Sequence, residues 1–208
     1  MTSAANPRTD AELVDAWRSG DRQACESLFH RHYAAVTRFF RNKAPAHTSD
    51  LAQRTFLTCF RRIEGLREPD RFKQWALAVA NNVLREHLRA SRRDRIDFTS
   101  MSVADLGSSA VSIVARQREQ RLLLDALRNI PVDLQTALEL HYWERMTVQE
   151  IAETLEIPLG TAKSRLRRAR ELVGELMMAA REGTAPQGAA DLDAWAFEVG
   201  RLIEPDPE

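Results

Sequence analysis

Met146 to Val173 reads MTVQEIAETLEIPLGTAKSRLRRARELV, and this stretch decides how the rest of the chain is read. Thr147 and Glu150 have the S/T-x-x-E spacing of a capping box, in which the hydroxyl and the carboxylate each take up a free backbone N–H; the spacing predicts a helix start at Val148. Ile151, Ala152 and Leu155 follow at helical spacing as one buried face. Pro158 has no N–H to continue the helix and biases Ile157 away from the α region, so the chain turns there. A second helix begins near Gly160 and Thr161, with Leu166, Ala169 and Val173 as its inner face. It carries Lys163, Arg165, Arg167, Arg168 and Arg170. Two short helices about a tight turn, the second basic, are how a helix-turn-helix offers its recognition helix to the major groove. A helical hairpin with a merely solvated basic face has the same pattern.

The longer run from His141 to Arg170, HYWERMTVQEIAETLEIPLGTAKSRLRRAR, resembles region 4 of the extracytoplasmic-function sigma factors, the small promoter-recognition subunits of bacterial RNA polymerase. IPLGTAKSRLRRAR is its most recognisable part. Glu156 and Arg145 depart from the family, which often has Gly at both positions. If the backbone is left-handed there, a non-glycine residue costs roughly 1–2 kcal/mol. By their position after the turn, Lys163, Ser164 and Arg167 are expected to face the major groove of the minus-thirty-five element and Arg165 and Arg168 to reach phosphates, with Thr161 a further candidate contact.

The chain has 208 residues, enough for one domain or two small ones. Lys plus Arg and Asp plus Glu number 30 each, so any nucleic-acid function must rest on local patches and not on a basic chain. Cys25 and Cys59 lie far apart among apolar positions and read as buried, reduced, small hydrophobes. The N-terminus MTSAANPRTD has no apolar run of a signal peptide. No stretch approaches the roughly 18 apolar residues of a membrane span, so the expected compartment is the cytoplasm.

From the start, residues 1 to 8 read as disordered. Asp10 is a candidate cap for a short helix with Leu13, Val14 and Trp17 on one face, ended by Gly20. Asp21 caps a longer helix in which Cys25, Leu28, Phe29, His32, Val36, Phe39 and Phe40 form a core stripe. His30 and His32 do not share a face, which argues against a metal. In the helix from Asp50 to Ile63, Ala52, Phe56, Cys59, Phe60 and Ile63 form the expected inner stripe. Asp50, Gln53, Arg54, Leu57 and Arg61 form a second face. DLAQRTF resembles region 2.2 of the same family, which docks on the polymerase, so those five residues become the candidate polymerase contacts; Arg54 departs from the usual Glu.

The helix from Phe72 to Ser91 is apolar on more than one side and therefore sandwiched. RFKQWALAVANNVLREHLRASRR resembles region 2.3, the promoter-melting segment. The resemblance implies Arg71, Phe72, Trp75, Asn82, Arg85 and Arg89 as minus-ten contacts, with a stacking surface for an extruded base and a basic rim for phosphates. On composition alone, Trp75 is equally a plain core tryptophan. From Asp94 to Ser112 periodicity fails in a Ser-rich linker. Helices through Leu122–Leu127 and Leu134–Glu144 then lead into the helix-turn-helix. GTAPQGAA, from Gly183 to Ala190, is a second flexible linker. The tail beyond it has an apolar stripe of Leu192, Trp195, Val199 and Leu202 on an acidic segment, which either docks or stays disordered.

The expected fold is all-α: a region 2 bundle over 9–93, a flexible linker over 94–114, a region 4 helix-turn-helix domain over 115–182, and a linker with an amphipathic extension over 183–208. The resemblance runs over roughly residues 10 to 180 in two blocks in the right order. It implies a sigma factor whose partners are core RNA polymerase and promoter DNA, with room for an anti-sigma factor as a third. A stand-alone helix-turn-helix regulator is the alternative, and it leaves the N-terminal domain without a use. An enzyme is the third: no carboxylate cluster, metal-spaced His/Cys set, phosphate loop or Ser/His/Asp candidate is visible, so no catalytic residue, cofactor or metal is expected.

Overall fold

The computed structural model describes residues 8–90, 97–105 and 118–180. Eight α-helices carry these residues: α1 (Asp10–Arg18), α2 (Arg22–Arg41), α3 (Thr48–Arg62), α4 (Phe72–Ala90), α5 (Arg118–Arg128), α6 (Val132–Tyr142), α7 (Val148–Thr154) and α8 (Leu159–Ala180). The expectations for residues 1–7, the basic run at 91–93 and the tail from 181 onward lie outside the described residues.

Side-chain caps set the starts of α1, α2 and α7. The cap of α1 is Thr9, not Asp10: its hydroxyl accepts from the Glu12 N–H while the Glu12 carboxylate accepts from the Thr9 N–H at 2.7 Å, a complete capping box. Asp10 is left free to pair with His32, its Oδ2 lying 2.7 Å from Nε2. Asp21 caps α2 through the N–H groups of Gln23 and Ala24. Thr147 and Glu150 form the expected box at α7. Arg145 (φ 57°) and Glu156 (φ 54°) are both left-handed, the conformation in which the family's glycine would be unstrained.

Helices α1 to α4 form the first bundle. Leu28, Phe40, Leu51, Phe72, Leu77 and Leu84 are its fully buried large apolar side chains. Its rings touch in a series: Trp17 meets Phe29 edge-on at 5.3 Å, and Phe29 meets Phe56 at 4.7 Å and Phe72 at 6.4 Å. Helices α5 to α8 form the second unit around Leu123, Leu127, Leu138, Tyr142, Val173 and Met177. Helix α6 serves two cores at once. Leu134, Leu138 and Tyr142 face α5 and α8, whereas Val132, Ala137 and Leu140 join the core of the first bundle, together with Met146, Ile151, Ala152, Ala162 and Leu166. Between these faces Asp133, Gln135, Thr136 and Glu139 are also buried.

Within the 94–114 linker, residues 97–105 form a packed turn, more ordered than their composition implied. Asp97 accepts from the N–H and hydroxyl of Thr99, and Asp105 accepts from the N–H and hydroxyl of Ser102. Phe98 and Val103 are buried, and the Phe98 and Met101 carbonyls accept from the N–H groups of Asp133 and Val132 at the start of α6. The two cysteines are free and buried, with burial pushing the Cys59 thiol up to about 12. Among the described residues, no helix is long and apolar enough to cross a membrane, and no group of His, Cys, Asp and Glu could hold a metal ion.

Candidate nucleic-acid and polymerase interfaces

Helix α8 buries Ala162, Leu166, Ala169, Val173 and Met177, and that face fixes which of its cations point outward. Lys163, Ser164, Arg167 and Arg168 are exposed, and Thr161 is half-buried. Ser164 Oγ donates to the Thr161 carbonyl at 2.9 Å. Arg167 and Arg168 pair along the helix with Glu171 at 2.6 and 3.3 Å. Such exposed pairs are weak and exchange readily for phosphates or base edges. Arg165 differs. Its guanidinium lies 2.6 Å from Asp133 Oδ2 and is largely buried, so in this arrangement it cannot reach a phosphate. Arg170 also turns inward, donating to the Tyr142 hydroxyl at 2.8 Å.

On the first bundle, Asp50, Gln53, Arg54, Leu57 and Arg61 line the outward face of α3 and are all exposed. Leu57 is 48% exposed, and Phe60, expected on the inner stripe, is 55% exposed. The reason is room: Trp17, whose ring is 5.8 Å from that of Phe60, already fills the core there. Tyr33, 47% exposed and stacked on Phe56, adds a third large apolar group. Sequence reasoning missed Tyr33 and misplaced Phe60, because an aromatic residue next to a core stripe carries no signal of which side it takes.

The candidate minus-ten residues divide. Asn82 and Arg89 are exposed, and Trp75 is half-buried against the core. Phe72 is fully buried among Trp17, Phe29, His32 and Trp75, so it supports the surface from beneath and is not available to stack on a base. Arg85 and Arg89 lie over the Phe98 ring at 4.7 and 5.3 Å.

The second unit covers part of this surface, through charges that the sequence did not reveal as partners. Asp133 receives Arg85 from α4 as well as Arg165 from α8. Glu139 receives Lys43, which is fully buried, and the Asn42 amide at 3.2 Å. Glu144 receives Arg38 at 2.9 Å and Lys73 at 2.7 Å. Arg71 pairs with Glu153, and Gln74 donates to Glu150 at 3.3 Å.

Two of these carboxylates give a pH dependence. Hydrogen bonds from the Thr147 N–H and hydroxyl hold Glu150 below the ordinary 4.5, and those from Gln149 and Arg71 do the same for Glu153. A carboxyl depressed in the folded state contributes stability above its unfolded value, and that contribution is lost as pH falls through the folded value. The start of α7, and with it the edge contacts of Glu150 with Gln74 and of Glu153 with Arg71, is therefore expected to be unaffected from neutral pH down to about 4.5 and to weaken below it. Circular dichroism across that range checks this: a small loss of helical signal below it is the expected result.

Residues 28–94 match Sigma-70 region 2 and residues 120–173 match Sigma-70, region 4. The ECF RNA polymerase sigma-E factor of Haemophilus influenzae is 30% identical over 184 residues, which cover 81% of this chain and 95% of that protein. Among solved structures, CnrH in complex with the cytosolic domain of CnrY is similar in fold, at 21% identity and a TM-score of 0.61, over 83% of this chain and 99% of that one. The sigma factor RpoE of Bartonella quintana, solved with the anti-sigma factor NepR, gives a TM-score of 0.57 at 19% identity, over 73% of this chain and 95% of that one. Regions 2 and 4 in order on one chain, together with that relative, show that the protein belongs to the extracytoplasmic-function sigma factors.

Proposed function

We infer that this chain is the promoter-recognition subunit of an RNA polymerase: it binds the core enzyme and directs initiation at specific promoters. The observation that carries the reading is the succession of Sigma-70 region 2 over 28–94 and region 4 over 120–173 on one chain. A stand-alone regulator would have no use for the first. The protein acts by positioning DNA and polymerase in the cytoplasm, without a reaction or cofactor of its own. An anti-sigma factor is a further partner in this reading, supported by the Bartonella quintana sigma factor of similar fold, which was solved with one.

In this reading Leu57, with Asp50, Gln53, Arg54 and Arg61 around it, docks α3 on the polymerase, and the exposed Phe60 and Tyr33 extend the apolar contact. Trp75, Asn82, Arg85 and Arg89, with Arg71 at the rim, form the minus-ten surface. Lys163, Ser164 and Arg167 read the minus-thirty-five element, with Arg168 on phosphates.

Run-off transcription with purified core polymerase tests the function: promoter-dependent start sites are expected, and none would appear if the chain were a stand-alone regulator. Arg167→Ala is expected to cost about 1–3 kcal/mol, roughly 5- to 150-fold, on one base position and to relax preference there. Arg168→Ala should weaken all promoters alike. Selection from a randomised minus-thirty-five library distinguishes the two outcomes.

A further inference from the structure

Among the described residues five large apolar side chains are exposed: Tyr33, Leu57, Phe60, Leu159 and Met178. The first three share the α2–α3 face already described, and Met178 stands near the far end of α8. Leu159 has no such company. It is the first residue of the basic helix, 38% exposed, and its neighbours Pro158 and Gly160 are exposed as well. A single exposed leucine is ordinary on a protein surface; the place of this one gives it a use.

The turn fixes where Leu159 points. Glu156 is left-handed; its N–H returns to the Glu153 carbonyl at 3.2 Å and the Ile157 N–H to the Ala152 carbonyl at 2.9 Å, a Schellman motif that ends α7. Ile157 then packs against the core, while the Pro158 carbonyl accepts the Ala162 N–H at 3.1 Å and opens α8. With Ala162 and Leu166 turned inward, Leu159, Lys163 and Arg167 fall four apart as one exposed row. The candidate base readers are thus prolonged by a leucine, at the end of the helix that a helix-turn-helix aims at base edges. Gly160 supplies a second observation. Its φ is not left-handed, and a Cβ built there would meet nothing within 4 Å. Neither backbone conformation nor packing within the chain calls for glycine, although alanine is the better helix former. What a glycine offers at this place is close approach by something outside the chain.

We propose that Leu159 is a specificity-determining residue that packs on the C5 methyl of one thymine in the minus-thirty-five element, and that Gly160 lets the backbone of α8 come close enough for this contact. The chemistry selects the base. Thymine alone among the four carries an apolar group on its major-groove edge. The other edges present hydrogen-bond donors and acceptors, which a leucine would strip of water without replacing it. Lys163, Ser164 and Arg167 can read those polar edges, and Leu159 adds the one property that they lack. The inference deepens the sigma-factor reading and rests on it.

The test uses the full chain in complex with core polymerase, on the promoter selected from the randomised minus-thirty-five library. Each thymine of that element is replaced in turn by deoxyuridine, which removes the methyl and leaves every hydrogen bond in place. Competition binding is expected to show a loss of about fourfold at one thymine, the effect of uncovering one methyl-sized group. In Leu159→Ala that position should become indifferent to the methyl, while the polar edges are read as before. Gly160→Ala should melt no lower than the wild type, since its Cβ has open space, yet bind the promoter more weakly by about fourfold or more, because the same contact is lost. An element without thymine, no methyl dependence in the wild type, an unchanged methyl dependence in Leu159→Ala, or Gly160→Ala binding as the wild type does would each overturn the proposal. The deoxyuridine scan of the wild type needs no variant, so it decides even if Leu159→Ala does not fold. Absence of promoter-dependent run-off by the wild type would instead overturn the sigma-factor reading, so the two failures are distinct.

Discussion

Phe72→Ala is expected to destabilise the first bundle by about 3–5 kcal/mol, the usual cost of deleting a fully enclosed aromatic side chain and leaving its cavity behind. Phe72 is wholly buried and touches Trp17, Phe29, His32 and Trp75, residues contributed by α1, α2 and α4, so neighbouring side chains have no direction in which to collapse. The melting temperature should fall by about 10 °C or more. Phe72→Leu, which keeps most of the apolar volume, should recover most of the stability and also promoter melting. That pair of variants separates support from contact: a residue stacking directly on a base would lose melting in both, whereas a supporting residue loses it only where the fold fails. Calorimetry and permanganate footprinting of the open complex supply the two readouts.

Lys43→Ala is expected to cost a comparable 3–5 kcal/mol, for the opposite reason. Lys43 has no exposed surface, and burial pulls its pKa down while the Glu139 charge and hydrogen bond pull it up. Its ammonium donates to the Phe39 carbonyl at 3.0 Å and sits 4.1 Å from the Phe39 ring. Removing it leaves Glu139, itself buried, with only the Asn42 and Gln135 amides. The pair joins the two units, so the chain has an escape that an ordinary core does not: the second unit can swing away and rehydrate Glu139. The measured loss should therefore show first as separation of the units, and the helical content should survive it. Lys43→Met/Glu139→Leu removes both charges together and should be nearly neutral in stability, because a buried ion pair is worth little more than apolar groups of similar volume. Denaturant unfolding followed by circular dichroism and by interdomain energy transfer distinguishes these outcomes; equal losses in the single and double variants would contradict them.

The sequence by itself determined the helices and the outward basic face of α8, because the information there is local. A capping box needs residues three apart, a turn needs Pro158, and an inner stripe needs Leu166, Ala169 and Val173 at helical spacing; Lys163, Ser164, Arg167 and Arg168 then had to point outward. The outward face of α3 was legible in the same way, as were the two left-handed positions once the family's glycines were noticed. Thr9 in place of Asp10 was a local contest between two capping residues that spacing alone did not resolve.

Only the tertiary structure decided which charges are free. Arg165 and Arg168 look alike on the helix, yet one is tied to Asp133 and the other is exposed, because Asp133 comes from a different helix and is 32 positions away in the chain. Nothing in the sequence marks Glu139 and Glu144, on α6 and just beyond it, as buried. They are buried because Lys43 and Arg38, about a hundred residues earlier, meet them across the contact between the units. Periodicity reports the apolar side of a helix, and α6 is buried on its polar side as well. A charge pairs with whatever the fold brings within reach, so the balance of 30 cations against 30 anions gave the net charge of the chain, and the packing of α6 and α7 on α2 and α4 decided which of those charges remain available.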